Sequence, residues 1–226
     1  MKKLIILLLI LFTPFIAFAE DDPIELAWMG PMIVGSGVAA AGGGPTVVAT
    51  DSFTALDYTE LSAHDADWID LYAGNDMYTV SNGLYGGSDP DSAYRYNATF
   101  AANHYSKMVM VAVGDTDGSG VGPAILMQSG AVSYVCAIYT GATGSHQIEV
   151  YEVVAGSSTG KDGAAGALSA NDVIELRVVG TTVSLYINDS PAGTPWETSL
   201  SGGQAGVAGY YGALGIRGDD WESGDL

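Results

Sequence analysis

The segment 115–120 carries oxygen-bearing side chains at the spacing that calcium-binding loops use. Asp115, Asp117 and Ser119 stand at alternate positions, and a glycine follows at the sixth. This matches the first half of an EF-hand loop, but the twelfth position is Leu126, where such a loop needs a bidentate glutamate. A bound calcium ion would therefore need a carboxylate from elsewhere in the chain. Two interpretations stay open, a calcium site at Asp115, Asp117 and Ser119 or an ordinary acidic turn.

Aromatic side chains offer a second kind of site, because a flat ring covers the apolar face of a sugar while nearby carboxylates and amides take its hydroxyl groups. Tyr139 and Tyr151 end or interrupt alternating strand patterns, and Trp196 stands in a Thr-Pro-Trp-Glu-Thr segment typical of an exposed turn. We take Tyr139, Tyr151 and Trp196 as candidate carbohydrate contacts, with packing in the core as the alternative for each. Trp68 and Trp221 lie within strand patterns and are predicted to be core residues.

The patterns that indicate hydrolytic enzymes are incomplete. Glu149 and Glu152 are close in sequence, but a separation of three puts them on opposite faces of a strand, where they cannot flank one glycosidic bond. Residues 156–160 match the G-x-S-x-G nucleophile pattern, yet the helix that this pattern requires does not follow. A long hairpin loop is predicted over residues 156–166. The sequence thus predicts no catalytic residues and a non-enzymatic protein.

Histidine and cysteine add no further site. His64, His104 and His146 share no metal-ligand spacing. Cys136 is the single cysteine and lies in an apolar run, which predicts a buried structural thiol and excludes an internal disulfide.

The elements that must position these side chains are β-strands. Residues 173–179 alternate between apolar and polar, residues 183–187 repeat the alternation, and Gly180 can supply the positive φ of a tight hairpin between them. Turn-forming residues begin again at Asn188. From residue 46 onward about a dozen short β-like runs recur between turn signals. The pattern predicts an all-β protein, an antiparallel β-sandwich of the jelly-roll type with little helix.

Several short motifs follow one another in this part of the chain: Asp51–Phe53, Trp68, Ser81–Gly83, Ala93–Phe100, the hairpin Arg177–Asn188 and the closing segment Asp219–Leu226. In this order they resemble the laminin-G-like branch of the concanavalin A-like lectin and glucanase superfamily. Asp189 stands where the superfamily hairpin often has a glycine. The resemblance implies a jelly-roll domain over residues 46–226. Superfamily members that hydrolyse glucans carry an E-x-D-x-x-E or E-x-D-x-E cluster, which this sequence lacks.

The N-terminal residues are typical of an export signal. Two lysines precede an apolar block over residues 4–18, and Ala17-Phe18-Ala19 forms a small-residue cleavage site. The block is shorter than the roughly 20 residues that a spanning helix needs, so we predict a cleaved signal peptide over residues 1–19. Residues 20–45 form a Gly- and Ala-rich apolar leader. We therefore expect a secreted or cell-surface protein without stable membrane insertion after cleavage.

The charge of the mature chain limits its partners. Removing Lys2 and Lys3 leaves 5 basic residues against 26 acidic ones, a formal charge of −21. Such a field repels nucleic acid and anionic membrane surfaces. Divalent cations, neutral sugars and basic partners remain compatible with it, and an ordinary soluble surface explains the charge equally well.

Two functional hypotheses follow from these observations. The first is a non-catalytic module that binds carbohydrate or another cell-surface polymer, with calcium as a candidate cofactor. The second is a structural or appendage subunit that forms homo-oligomers through the apolar segment 24–48, since an unpaired apolar segment can add to the open sheet edge of a neighbour.

Overall fold

The computed structural model describes residues 44–74, 76–86, 91–114, 119–130, 132–142, 145–210 and 215–226. The predicted signal peptide, most of the predicted leader, and Asp115 and Asp117 lie outside these residues. The helix within them is the single turn α1, Leu61–His64. No helix in the described ranges has the length and apolar character needed to cross a membrane.

Strands make up most of the described chain. They are β1 Thr46–Asp51, β2 Thr59–Glu60, β3 Trp68–Asp70, β4 Tyr78–Thr79, β5 Leu84–Tyr85, β6 Ser92–Tyr96, β7 His104–Val113, β8 Ser119–Gln128, β9 Ser133–Ala142, β10 Ser145–Val154, β11 Ser157–Ala165, β12 Val173–Val179, β13 Thr182–Ile187, β14 Ser190–Glu197, β15 Gln204–Tyr210 and β16 Ile216–Asp225.

These strands form two antiparallel sheets that enclose one core. The nine-stranded sheet has the order β14-β13-β12-β7-β16-β5-β4-β2, with β1 also paired to β16. The seven-stranded sheet has the order β11-β10-β9-β8-β15-β6-β3. The predicted all-β sandwich is confirmed, with more strands than the dozen that the sequence indicated.

The hairpin predicted over residues 173–188 is present as β12 and β13. The strands are joined at Gly180, whose φ of 63° is the left-handed value that the tight turn requires. Leu176 lies opposite Leu185, and Val178 lies opposite Val183, so the apolar positions of both strands face the core together. One face of the hairpin is therefore buried, as its alternation predicted.

Two aromatic side chains connect the sheets at the centre of the core. The rings of Trp68 in β3 and Trp221 in β16 lie 4.7 Å apart, and each side chain is 1% exposed. The Trp221 indole N–H lies 2.9 Å from Ser106 Oγ in β7 and 3.1 Å from the Gly206 carbonyl oxygen in β15. It thus donates across the sandwich, and the prediction of Trp68 and Trp221 as core residues is confirmed.

The loop predicted over residues 156–166 is wrong, because Ser157–Ala165 form the edge strand β11. Ala155 and Gly156, with φ values of 48° and 81°, make the tight turn that leads into it from β10. Most of its small and polar side chains are exposed. An edge strand exposed on both faces needs no apolar alternation, and alternation was the signal used to predict strands.

The turn predicted around Trp196 is also wrong, because this residue lies in β14, the edge strand of the nine-stranded sheet. Asn188 and Asp189, with φ values of 50° and 62°, form the turn that leads into β14. The strand contains Pro191 and Pro195, which are tolerated at an edge because proline has no N–H to donate. Proline is typical of turns, and the two prolines therefore favoured a turn in the sequence, although the backbone at both positions is extended.

Candidate functional site

The outer face of the seven-stranded sheet, turned away from the core, carries a second apolar cluster. In β9 the side chains of Tyr134, Cys136 and Ile138 lie on this face, whereas Val135 and Tyr139 belong to the core between the sheets. The buried members of the outer cluster are Ala93, Ala124, Met127, Tyr134, Cys136, Ile138, Val153 and Ala208. Burial on a face that points away from the core indicates that these side chains cover one another in a concave surface.

A cavity of about 180 Å³ opens on this face. Its lining includes Tyr134, Thr140, Glu149, Tyr151 and Tyr210. The volume is below the roughly 300–1,000 Å³ of sites for drug-sized molecules, so the cavity suits a small molecule or one unit of a longer one.

Strand β8, which pairs with the cavity-lining strands β9 and β15, contains two glycines on the outer face of the sheet. Ala124 lies on the outer face of β8, and Gly122 and Gly120, two and four residues before it, lie on the same face. These two positions of the strand therefore carry no side chain. A Cβ atom at Gly122 would lie 1.8 Å from the Ala137 carbonyl oxygen in β9, a distance that backbone atoms cannot allow. The close approach of β8 and β9 therefore requires glycine at position 122.

One carboxylate in the cavity is held by neutral hydrogen-bond donors. Glu149 accepts a hydrogen bond at Oε2 from the Tyr151 hydroxyl and one at Oε1 from Gln147 Nε2, both at 2.5 Å. Burial, the bond to Glu149 and the charge of that carboxylate all raise the pKa of Tyr151 above its ordinary value. The Tyr151 hydroxyl therefore stays protonated and fixes the carboxylate toward the cavity.

The three predicted sugar-binding aromatics lie in different places. Tyr151 lines the cavity and is half-buried. Tyr139 is fully buried in the core, where its hydroxyl lies 3.1 Å from His146 Nδ1, so its ring is not accessible from the outer face. Trp196 packs partly buried against the core, and its indole nitrogen is buried without a hydrogen-bond partner among the described residues. The structure therefore brings only Tyr151 of these three residues to the cavity, where it joins Tyr134 and Tyr210.

The predicted calcium ligands are described only in part. Ser119 begins β8 and is 2% exposed, whereas Asp115 and Asp117 lie outside the described residues. Among the residues that are described, no group of three or more His, Cys, Asp or Glu side chains is arranged to hold a metal ion. Calcium binding at Asp115, Asp117 and Ser119 stays a prediction.

Glu149 and Glu152 lie on opposite sides of β10, as the sequence predicted. Glu149 lines the outer cavity, while Glu152 is buried and forms an ion pair at 2.8 Å with Lys161. Cys136 is also buried as predicted, and burial raises the pKa of its thiol to about 12. The thiol is therefore protonated near neutral pH and is inert as a nucleophile.

No protein-family model and no curated relative matches this sequence. Solved structures do share its fold. The carbohydrate-binding module CBM66 from Bacillus subtilis superimposes with a TM-score of 0.53 at 15% identity, over 68% of this chain and 91% of that chain. A protein of unknown function with a galectin-like fold, also from Bacillus subtilis, gives 0.55 at 10% identity, over 79% and 96%.

The fold is an antiparallel β-sandwich of the jelly-roll type, which is the architecture that the resemblance of the sequence implied. The jelly roll is also similar to part of the GH43 protein BlXynB from Bacillus licheniformis, with a TM-score of 0.52 at 12% identity. That match covers 78% of this chain but 39% of the other. The jelly roll of this protein therefore corresponds to less than half of the GH43 chain.

Proposed function

We propose that this protein is a non-catalytic carbohydrate-binding module that binds a sugar in the cavity on the outer face of the seven-stranded sheet. The observation that carries the proposal is the joint presence of tyrosine rings and a fixed carboxylate in one cavity. Tyr151 and Tyr210 offer ring surface for the apolar face of a sugar. Glu149, Thr140 and Ser158 offer oxygen atoms for its hydroxyl groups.

Two observations support binding without catalysis. The structural neighbour with the highest identity of those described above is a carbohydrate-binding module. Members of the resembled superfamily that hydrolyse glucans also carry an E-x-D-x-x-E or E-x-D-x-E cluster, which this sequence lacks.

We also propose export, action in secreted form or at the cell surface, and membership of the laminin-G-like branch of the superfamily. The signal-peptide pattern of residues 1–19 supports export. The order of motifs over residues 46–226 supports the branch. Self-assembly through residues 24–48 stays the alternative, and the exposure of Val47 and Val48 in β1, at 51% and 37%, is compatible with it.

Replacing Tyr151 by alanine is expected to weaken glycan binding about tenfold or more, since losing about 1.4 kcal/mol of ring contact corresponds to a factor of ten. A glycan array with the mature protein identifies the ligand, and titration calorimetry then compares the variants. Tyr186→Ala is the matched control, because Tyr186 packs on Arg177 in the other sheet. The proposal fails if no glycan binds, or if Tyr151→Ala binds as tightly as the unchanged protein.

We further propose that calcium binds at the segment 115–119 and stabilises the folded chain. At free calcium about 100 times the dissociation constant, binding to the folded state alone adds about 2.7 kcal/mol, which raises the melting temperature visibly. Asp117→Asn is expected to reduce that rise. Magnesium is the control, because it needs compact octahedral ligands and sheds water reluctantly. Equal melting curves in calcium, magnesium and chelator would identify an ordinary turn.

A further inference from the structure

Among the described residues, the lining of the cavity on the outer face includes carboxylates and no basic side chain. Glu149 lies in its wall, and Asp91 lies at its exposed rim just before β6. The described partners of Glu149 are the hydroxyl of Tyr151 and the amide of Gln147, both neutral. No lysine, arginine or histidine among the described residues lines this cavity. A ligand in the cavity therefore meets negative charge.

The basic side chains of the domain are all engaged elsewhere. Apart from Lys2 and Lys3 the sequence has five, and all of them are among the described residues. They bond as follows: Lys107 with Glu222, Lys161 with Glu152, Arg177 with Glu175, Arg95 with the Gln204 side chain, and Arg217 with the Val80 carbonyl oxygen. None of these ten residues belongs to the lining of the cavity. Lys161 lines a neighbouring depression together with Glu149 and Tyr151, but its ammonium group bonds to Glu152. The described hydrogen-bond partners of Glu149 are neutral.

We propose that the cavity selects sugars with a free, protonated amino group, such as the glucosamine units of a deacetylated glycan, over their N-acetylated and acidic counterparts. The inference rests on the proposed function, because it names the class of sugar that the same cavity takes. It concerns selectivity among ligands, whereas packing of the Tyr151 ring on the apolar face of the sugar is common to every class.

An ammonium group gains two interactions that an acetamido group does not. It donates a charge-assisted hydrogen bond to the Glu149 carboxylate, and such bonds are about twice as strong as neutral ones. It can also lie against the negative face of the Tyr151 or Tyr210 ring. Both gains are larger in a half-buried cavity than in bulk water, where charges are screened fully.

An acidic sugar is disfavoured by the same arrangement. Its carboxylate would meet Glu149 and Asp91 with no arginine or lysine to pair with. The formal charge of −21 opposes its approach as well, although salt reduces that long-range effect beyond about 8 Å at physiological ionic strength. Uronate-rich and sulfated glycans are therefore expected to bind most weakly.

The test compares three oligosaccharides of equal length on the mature protein: glucosamine, N-acetylglucosamine and a uronic acid oligomer. Binding is measured by calorimetry at about pH 6, where carboxylates are ionised and amines are protonated. The expected order is glucosamine, then N-acetylglucosamine, then uronate, with at least a tenfold preference for the first over the second. The preference should decrease as salt is added, because it is electrostatic.

Three variants separate charge from shape. Glu149→Gln and Asp91→Asn each remove one cavity carboxylate, and Glu149→Gln is expected to abolish most of the preference for glucosamine over N-acetylglucosamine. Asp91→Asn, at an exposed position, cannot disturb the core and should reduce the preference to a lesser extent. Asp189→Asn is the matched control on the other sheet, since its left-handed turn position accepts asparagine readily.

The outcomes distinguish this inference from the proposed function. Equal or tighter binding of N-acetylglucosamine, or of a neutral glycan on the array, would overturn the selectivity and leave carbohydrate binding intact. A preference for glucosamine that survives both cavity variants, or that Asp189→Asn reduces equally, would overturn it too, because the charge responsible would then lie elsewhere. Absence of binding to every glycan would overturn the proposed function and this inference together.

Discussion

Replacing Trp221 by alanine is expected to destabilise the protein by about 3–5 kcal/mol, the range observed when a large aromatic side chain is removed from a core. The ring is 1% exposed and packs against Trp68, so its loss leaves a cavity between the sheets. Stabilities of single domains are about 5–15 kcal/mol, and this variant should therefore be close to unfolding at room temperature. Urea denaturation measures the difference directly.

The variant Trp221→Phe separates packing from hydrogen bonding. Phenylalanine keeps most of the ring but removes the N–H that bonds to Ser106 in β7 and to Gly206 in β15. The Ser106 hydroxyl still donates to the Gly206 carbonyl oxygen, so losing the indole N–H is expected to cost about 0.5–1.5 kcal/mol, less than the alanine variant. A phenylalanine variant as unstable as the alanine variant would show that the hydrogen bonds contribute more than the packing. A loss below about 1 kcal/mol for alanine would contradict the buried position.

Acidification is expected to remove about 3 kcal/mol of stability through the single carboxyl of Glu152. Burial alone would raise its pKa, but hydrogen bonds from Lys161, Thr198 and Ser199 outweigh burial and lower the pKa from 4.5 to about 2. The side chain is 8% exposed, so solvent screens this site little. Because a tenfold change in an acid dissociation constant corresponds to about 1.36 kcal/mol, the lowered pKa contributes about 3 kcal/mol when the carboxyl is ionised in both the folded and the unfolded chain.

The pH range of this effect follows from the lowered pKa of Glu152. Since the folded pKa is below the unfolded one, the contribution is fully present above about pH 4.5 and is lost as the pH falls toward 2. Glu152→Gln should therefore be less stable than the unchanged protein at pH 7, and the two should converge near pH 2. Glu197→Gln is the control, because Glu197 also accepts hydrogen bonds but is fully exposed, where screening leaves little effect. A stability difference for Glu152→Gln that does not change between pH 7 and pH 2 would contradict this assignment.

The sequence predicts the sandwich well where strands have one buried face. The alternation over residues 173–187 identified β12 and β13, and both core tryptophans were recognised from their strand context. The edge strands β11 and β14 were not predicted, because neither strand has one buried and one exposed face. Their side chains are largely exposed, so serine, glycine and proline occupy positions where no apolar alternation is needed.

The candidate site was predicted less well, because it depends on which face of each strand points outward. Tyr139 and Tyr151 have similar sequence contexts. Tyr139 lies on the same face of β9 as Val135, in the core, whereas Tyr151 lies on the same face of β10 as Glu149, at the outer cavity. That difference is set by the pairing of β9 with β10 and β8, which brings distant segments together. Tyr210 joins the cavity only through the pairing of β15 with β8. Local patterns carry no information about such contacts.

The two prolines of β14 limit how molecules of this protein can associate. An open sheet edge accepts a strand from another chain through its free N–H and C=O groups, and proline lacks the N–H that such pairing needs. The β14 edge of the nine-stranded sheet is thus a poor site for pairing with a strand of a second chain. Strand β11 of the other sheet also contacts β14. A sheet with one edge that cannot pair can bind a strand of another molecule only at its opposite edge. Edge pairing through the nine-stranded sheet would therefore end with two molecules instead of growing into a fibre.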